Sequence, residues 1–268
     1  MAFKKSKRSF KKRTTKKSSR RPAKKTSIKR VVRKAIQSAA EKKVANFNDF
    51  SHSVVGSNSA SAATQIVPVC PTTGGFEIQQ GPSQDERIGN KIHVIRGTIK
   101  GTIHPNPYNA TTNILPQPIL VQMFVFWDKE NTTTVPNPFS SNDFFQLGST
   151  SQGFQNHVVD TWLPINTDRW SVVHRQTFKV GTAAYEGTGI NAGAQAFTNN
   201  DFKFNCNYSV DLTKDLVKNV KYNDNNIDAT TRGLYVMWVA CEADGGTLPA
   251  AAIPCQVCFS ADLKYTDL

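Results

Sequence analysis

Ile119-Leu-Val-Gln-Met-Phe-Val-Phe-Trp127 is apolar on both faces that a strand presents, and Phe202-Lys-Phe-Asn-Cys-Asn-Tyr-Ser-Val210 on one. Successive side chains of a strand point to opposite sides, so the first stretch reads as a central strand buried above and below. In the second, Phe202, Phe204, Cys206, Tyr208 and Val210 alternate with Lys203, Asn205, Asn207 and Ser209, which predicts a half-buried strand with one wet face. Working outward, Lys91–His104 opens after Gly89-Asn90 with Ile92, Val94 and Arg96 on one face, and Ser171–Val180 turns Phe178 and Val180 inward. Gly233–Cys241, Cys255–Tyr265, Leu216–Tyr222 and Gln65–Val69 bring the set to eight. Eight strands, few helical signals and long connections predict an all-β fold, an antiparallel sandwich formed by residues 46–268 as one domain.

The connections are uneven. Residues 128–170 hold a predicted short helix at Ser141–Gln146, and 181–201 is rich in Gly, Ala and Asn. Loops this long in a compact β domain tend to carry function. With 242–254, they are the candidates for exterior or contact surfaces.

Charge separates the chain into two parts. Through Lys43 there are 19 Lys or Arg and one acid, Glu41; the rest holds 14 basic and 19 acidic residues, although the whole chain is +13. Residues 1–25 have little apolar surface and repel themselves, so a disordered arm is expected there. A polyphosphate is the natural counter-ion, because each neutralised phosphate releases condensed cations. The expected phosphate contacts, as a group, are Lys4, Lys5, Lys7, Arg8, Lys11, Lys12, Arg13, Lys16, Lys17, Arg20, Arg21, Lys24, Lys25, Lys29, Arg30, Arg33 and Lys34. Three other readings compete: a nuclear-import signal, a membrane-surface tether and a solvated tail. The block is longer than import needs, and import is compatible with binding, which adds host import factors as partners. No apolar h-region follows Met1 and no stretch is long and apolar enough to span a membrane, so no membrane partner is expected.

Between the arm and the sandwich, Ile28, Val31, Val32, Ala35, Ile36, Ala39 and Ala40 follow the i, i+3, i+4 rhythm of an amphipathic helix, placed at residues 26–45. Thr26 or Ser27 caps its start, and Lys29, Arg30, Arg33, Lys34, Lys42 and Lys43 form the opposite face. A helix this short needs a partner for its stripe, either the body or the same helix of neighbouring chains. A basic amphipathic helix also reads as a membrane or calmodulin ligand.

Catalysis leaves grouped polar residues, and the sequence offers no convincing group. His52, His93, His104, His157 and His174 are isolated, and Asp85-Glu86 and Asp211/Asp215 read as turns or strand ends. Gly187-Thr-Gly-Ile-Asn-Ala-Gly193 lacks the Lys-Ser/Thr of a phosphate loop. Cys255-x-x-Cys258 is half a zinc motif whose two side chains would point to opposite faces of a strand, so buried free thiols are the reading for it, Cys206 and Cys241. Five cysteines without a secretory signal point to a reducing compartment. No enzyme activity, metal or cofactor is expected.

Three stretches carry a resemblance. Lys25-Thr-Ser-Ile-Lys-Arg-Val-Val-Arg-Lys-Ala-Ile36 looks like an arm helix. Ile78-Gln-Gln-Gly81 with Gln84-Asp-Glu-Arg87-Ile-Gly-Asn-Lys-Ile92 looks like a QG…(D/N)xR(I/S)G stretch that leads into a strand ending Arg96-Gly97-Thr98. Phe124-Val-Phe-Trp127-Asp128, then Asn131-Thr-Thr-Thr134 and a helix with Phe144, follow in the same order. Over about residues 25–265 the chain resembles the coat proteins of small circular single-stranded DNA viruses, which are similar to that of satellite tobacco necrosis virus. The resemblance implies an eight-stranded jelly roll, about sixty copies in a closed icosahedral shell, and a self-assembled virion with a single-stranded genome held by the arm, DNA favoured over RNA. It also implies that Ile28, Val31, Val32, Ala35, Ile36 and Ala39 pack against symmetry mates, with a passage through the host nucleus during assembly. Some members bind calcium through carboxylates at subunit contacts, but no such ligands map here. The alternative is a cellular nucleic-acid-binding β-sandwich protein that never forms shells; it would need exposed stacking aromatics, which Lys203, Asn205, Asn207 and Ser209 do not supply. A lectin or hydrolase with a basic tail would need a convergent polar pocket.

Overall fold

In chain order the strands are β1 (Lys42–Val54), β2 (Val67–Pro68), β3 (Lys91–Pro105), β4 (Ile119–Asp128), β5 (Gln146–Leu147), β6 (Thr150–Ser151), β7 (Trp170–Val180), β8 (Ala184–Tyr185), β9 (Phe197–Thr198), β10 (Cys206–Asp211), β11 (Asn219–Lys221), β12 (Leu234–Glu242) and β13 (Cys255–Asp267). A one-turn helix at Ser141–Phe144 and a 3-10 turn at Val158–Trp162 lie between β4 and β7. The computed structural model describes residues 28, 31–32, 41–56, 67–68, 78–83, 85–107, 109–113, 117–129, 141–147, 150–151, 154–181, 184–185, 197–198, 202–222, 234–249 and 251–267. The chain divides into two units, Met1–Ala39 and Ala40–Leu268.

The second unit is built from two antiparallel sheets. One has the order β1-β13-β3-β10 with β11 also on β3; the other has the order β2-β12-β4-β7. Val121, Met123 and Val125 of β4 meet Ile99, Ile103 and Leu263 of the first sheet in a core between them. The alternate residues Phe124 and Phe126 point the other way. There Phe144, Phe145, Phe154 and Leu163 from the β4–β7 connection cover them in a second core with Trp170, Tyr235 and Met237. This cover is why β4 is apolar on both faces, as its sequence predicts. Arg175 fixes it in place, donating to the Thr161 carbonyl with its guanidinium 5.2 Å from the Phe124 ring. Burial holds the Arg175 pKa below its ordinary value.

Four expectations change. The helix read to residue 45 stops earlier, because Lys42–Val54 is a strand paired along β13. Its inward positions include Lys43 and His52, and a bulge between Asp49 and His52 resets its phase, so the apolar alternation is broken. β1 brings the two sheets to nine strands among the described residues, against eight expected. Second, Arg96 does not share the inner face with Ile92 and Val94. Lys264 pairs with Arg96 and Tyr265 with Val94, so Ile95 is an extra residue that swings Arg96 outward. Third, β10 starts at Cys206 and Phe204 is 61% exposed. Upstream of it, Lys203 bridges to Val180 instead and joins the ends of β7 and β10 across the two sheets. Fourth, Cys258 is only half-buried; Cys206, Cys241 and Cys255 are buried free thiols as expected.

Candidate functional site

The seventeen arm cations lie outside the described residues, as do Ala35, Ile36 and Ala39 of the stripe. Ile28, Val31 and Val32 are helical, with 81, 55 and 50% of their surface exposed. Within the first unit, then, part of the stripe lies open.

Where the second unit begins, its first strand is locked by buried cations. Lys43 is 2% exposed; its Nζ donates to the Glu86 carbonyl at 2.6 Å and lies 3.1 Å from Asp267 Oδ2. Lys42 and Lys43 were expected on one helical face; strand geometry instead sends them to opposite sides, Lys42 out and Lys43 in. The Gln80–Gly89 stretch closes on itself around Arg87. Gly81 N donates to Arg87 O, Arg87 N to Gln79 O and Ser83 N to Glu86 Oε2. Arg87 is fully buried, donating from Nη1 to Gly89 O at 2.6 Å and to Asn90 Oδ1 at 3.2 Å, with its guanidinium 4.2 Å over the Tyr222 ring. Tyr265 Oη donates to Asp85 O, which ties this loop to β13. Arg87 and the Tyr265 contact make this loop a structural stake on the first sheet.

The two sheets offer unequal outer faces. That of the second is covered by the β4–β7 connection. That of the first carries small polar residues in register: Asn48, Ser260, Lys100 and Ser209 in one row, and Asn46, Asp262, Thr98 and Asp211 in another. Lys264 and Arg96 form the next row beside Val44, with Lys42 beyond. Lys42, Arg96, Lys100 and Lys264 are all exposed. Asp211 is held below its ordinary pKa by hydrogen bonds from Thr213, with a smaller contribution from Arg96 and Lys214. Sequence reading missed this face because its members come from strands far apart in the chain; only the β3–β13 register joins them.

The remaining titratable groups stay dispersed. His52 packs 5.2 Å from the Trp238 ring with Nδ1 3.3 Å from Asp49 Oδ2, His157 caps the 3-10 turn together with Asp160, and His93 faces Asn219. Burial pushes the Cys241 thiol up to about 12 and Cys255 beyond it, so neither is a thiolate near neutrality. Among the described residues, no group of three or more His, Cys, Asp or Glu could hold a metal ion. No helix among them is long and apolar enough to cross a membrane. A groove of about 310 Å³ is lined by Trp127, Lys129, Ser171, Asp215, Leu216 and Val217. The Gly187–Gly193 loop lies outside the described residues.

A scan against protein-family models and a search of curated proteins returned no match.

Proposed function

We propose that this chain is a capsid protein that assembles into a small icosahedral shell and packages a single-stranded genome, DNA rather than RNA, through its basic N-terminal arm. The observation that carries the reading is the separation of charge: 19 basic residues against one acid up to Lys43, ahead of a body with 14 against 19. A folded body that repels phosphates, tethered to an arm that collects them, suits a container better than a catalyst. About sixty such arms would neutralise on the order of 1,000 phosphates.

Strand order supports the jelly roll. With β11 and the two short ribbons set aside, eight strands remain. Numbered in chain order, one sheet takes 1-8-3-6 and the other 2-7-4-5. First pairs with last, second with seventh, third with sixth and fourth with fifth, the order of one long hairpin rolled into two sheets, found in capsid and lectin domains. The sequence resemblance points the same way, and the exposed Ile28, Val31 and Val32 fit a stripe that awaits copies of itself.

Sedimentation velocity on purified, nuclease-treated protein, read at the nucleic-acid and protein absorbance maxima, tests the proposal. A uniform megadalton species with excess nucleic-acid absorbance is expected, and the protected strand can then be typed as DNA or RNA. A small species that stays small as concentration rises would remove the shell and favour a non-assembling nucleic-acid binder.

A further inference from the structure

We infer that the outer face of the β1-β13-β3-β10 sheet is a second phosphate-binding surface, contacting the backbone of the single strand through Arg96, Lys100 and Lys264. This rests on the packaging reading and deepens it by giving the folded body a side that faces the nucleic acid. After Lys43 the body is acidic, with 14 basic and 19 acidic residues. This face runs against that balance: Lys42, Arg96, Lys100 and Lys264 stand exposed there against Asp211 and Asp262.

The cations of this face differ from the body's buried and packed ones. Lys43, Arg87, Arg169 and Arg175 each spend their charge on carbonyls, carboxylates or rings. Among the described residues, Lys100 and Lys264 make no ion pair; Arg96 shares a weak attraction with Asp211. Arg96 is on this face only because the bulge at Ile95 reverses the strand's phase. Lys264 lies directly across from it, and Lys100 stands four residues further along β3, about 13 Å away at strand rise. That spacing lets one extended backbone touch both ends of the patch. Between them lies the row Asn46, Asp262, Thr98 and Asp211, whose two carboxylates the backbone must pass and which holds no aromatic for a base to stack on. The contact is therefore with phosphate and blind to sequence.

The test compares two full-length triple variants with the parent chain: R96Q/K100Q/K264Q on this face, and K129Q/K179Q/K203Q, also exposed, elsewhere. Anisotropy of a short fluorescent oligo(dT) is followed across salt concentrations, with melting curves to verify folding. Removing three single-strand phosphate contacts should flatten the log–log salt slope by about 2; the second triple should leave it unchanged. Equal flattening in both triples, or none in the first, overturns this inference and leaves the packaging reading intact. A parent chain with no salt-dependent binding sinks both. Photo-crosslinking of the unsubstituted protein to halogenated DNA gives a readout independent of variant folding. Adducts are expected on peptides covering 96–104 and 256–264, and adducts confined to other peptides refute the surface.

Discussion

Arg87 is an ionised side chain with no exposed surface, which is tolerable only because its surroundings replace water. Its Nη1 serves Gly89 O and Asn90 Oδ1, and the Tyr222 ring lies 4.2 Å below the guanidinium. R87A would leave the Gly89 carbonyl short of its donor and open a cavity beneath β11, a loss of about 3 kcal/mol or more. Urea unfolding of the purified variant measures it; a loss below about 1 kcal/mol would mean the stake is ornamental. Glu242 behaves in the opposite sense. Burial, and then the nearby Asp244 charge, raise its pKa above the ordinary 4.5. The folded state therefore holds this proton more tightly than the unfolded one, and no penalty exists below 4.5, where both forms are protonated. Stability is lost as pH climbs from there through the raised value. In E242Q that limb of the urea midpoint against pH should be absent; an unchanged profile would show that another group is responsible.

At the scale of an element, β3 is the strand on which the first sheet depends, because β13, β10 and β11 all pair with it. Gly101 sits on it between Tyr208 and Phe259, both buried aromatics. An added Cβ would lie 2.5 Å from Tyr208 Oη and 2.6 Å from the Cys258 backbone oxygen. Backbone cannot step aside, so G101A should cost about 1–3 kcal/mol by forcing β3 and β13 apart. G97A meets only the end of the Leu216 side chain, which can rotate, and should cost less in the same thermal denaturation. The reverse order would contradict the packing described. β4 and β12 are legible in sequence because both of their faces meet apolar neighbours, so nearly every residue votes the same way. β1 is not, since Lys43 and His52 point inward on the strength of partners from Glu86, Asp267, Asp49 and Trp238, distant in sequence or hidden by the bulge. Phe204 misleads in the other direction. It keeps the alternation of β10 while the chain at Lys203 has already turned to β7. The arm is visible as charge alone, whereas Arg96 and Lys264 become neighbours only through register.

For the whole molecule, the question is how the binding of a strand divides between arm, helix and folded body. Residues 1–25 hold 13 Lys or Arg, and residues 26–34 hold Lys29, Arg30, Arg33 and Lys34. The body beyond Lys43 is acidic overall, so without the arm its long-range field opposes phosphate and only a local patch can attract it. Deleting residues 1–25 should flatten the salt slope of oligo(dT) binding by up to about 9, at 0.7 for each lost contact. Packaging should vanish with it, as read from nuclease-resistant nucleic acid that co-sediments with protein. The sandwich should be indifferent. Its cores, its Arg87 stake and its Lys43–Asp267 lock are all formed within Ala40–Leu268, so its melting temperature should match that of the full chain. A truncated chain that still protects nucleic acid would place the binding in the body and reverse the weights of arm and sheet. One that melts earlier would show that the arm supports the fold, and its lost binding would then say nothing about charge. Residual binding with a shallow slope, removed in turn by R96Q/K100Q/K264Q, is the outcome that assigns the remaining charge to the open face of the sheet.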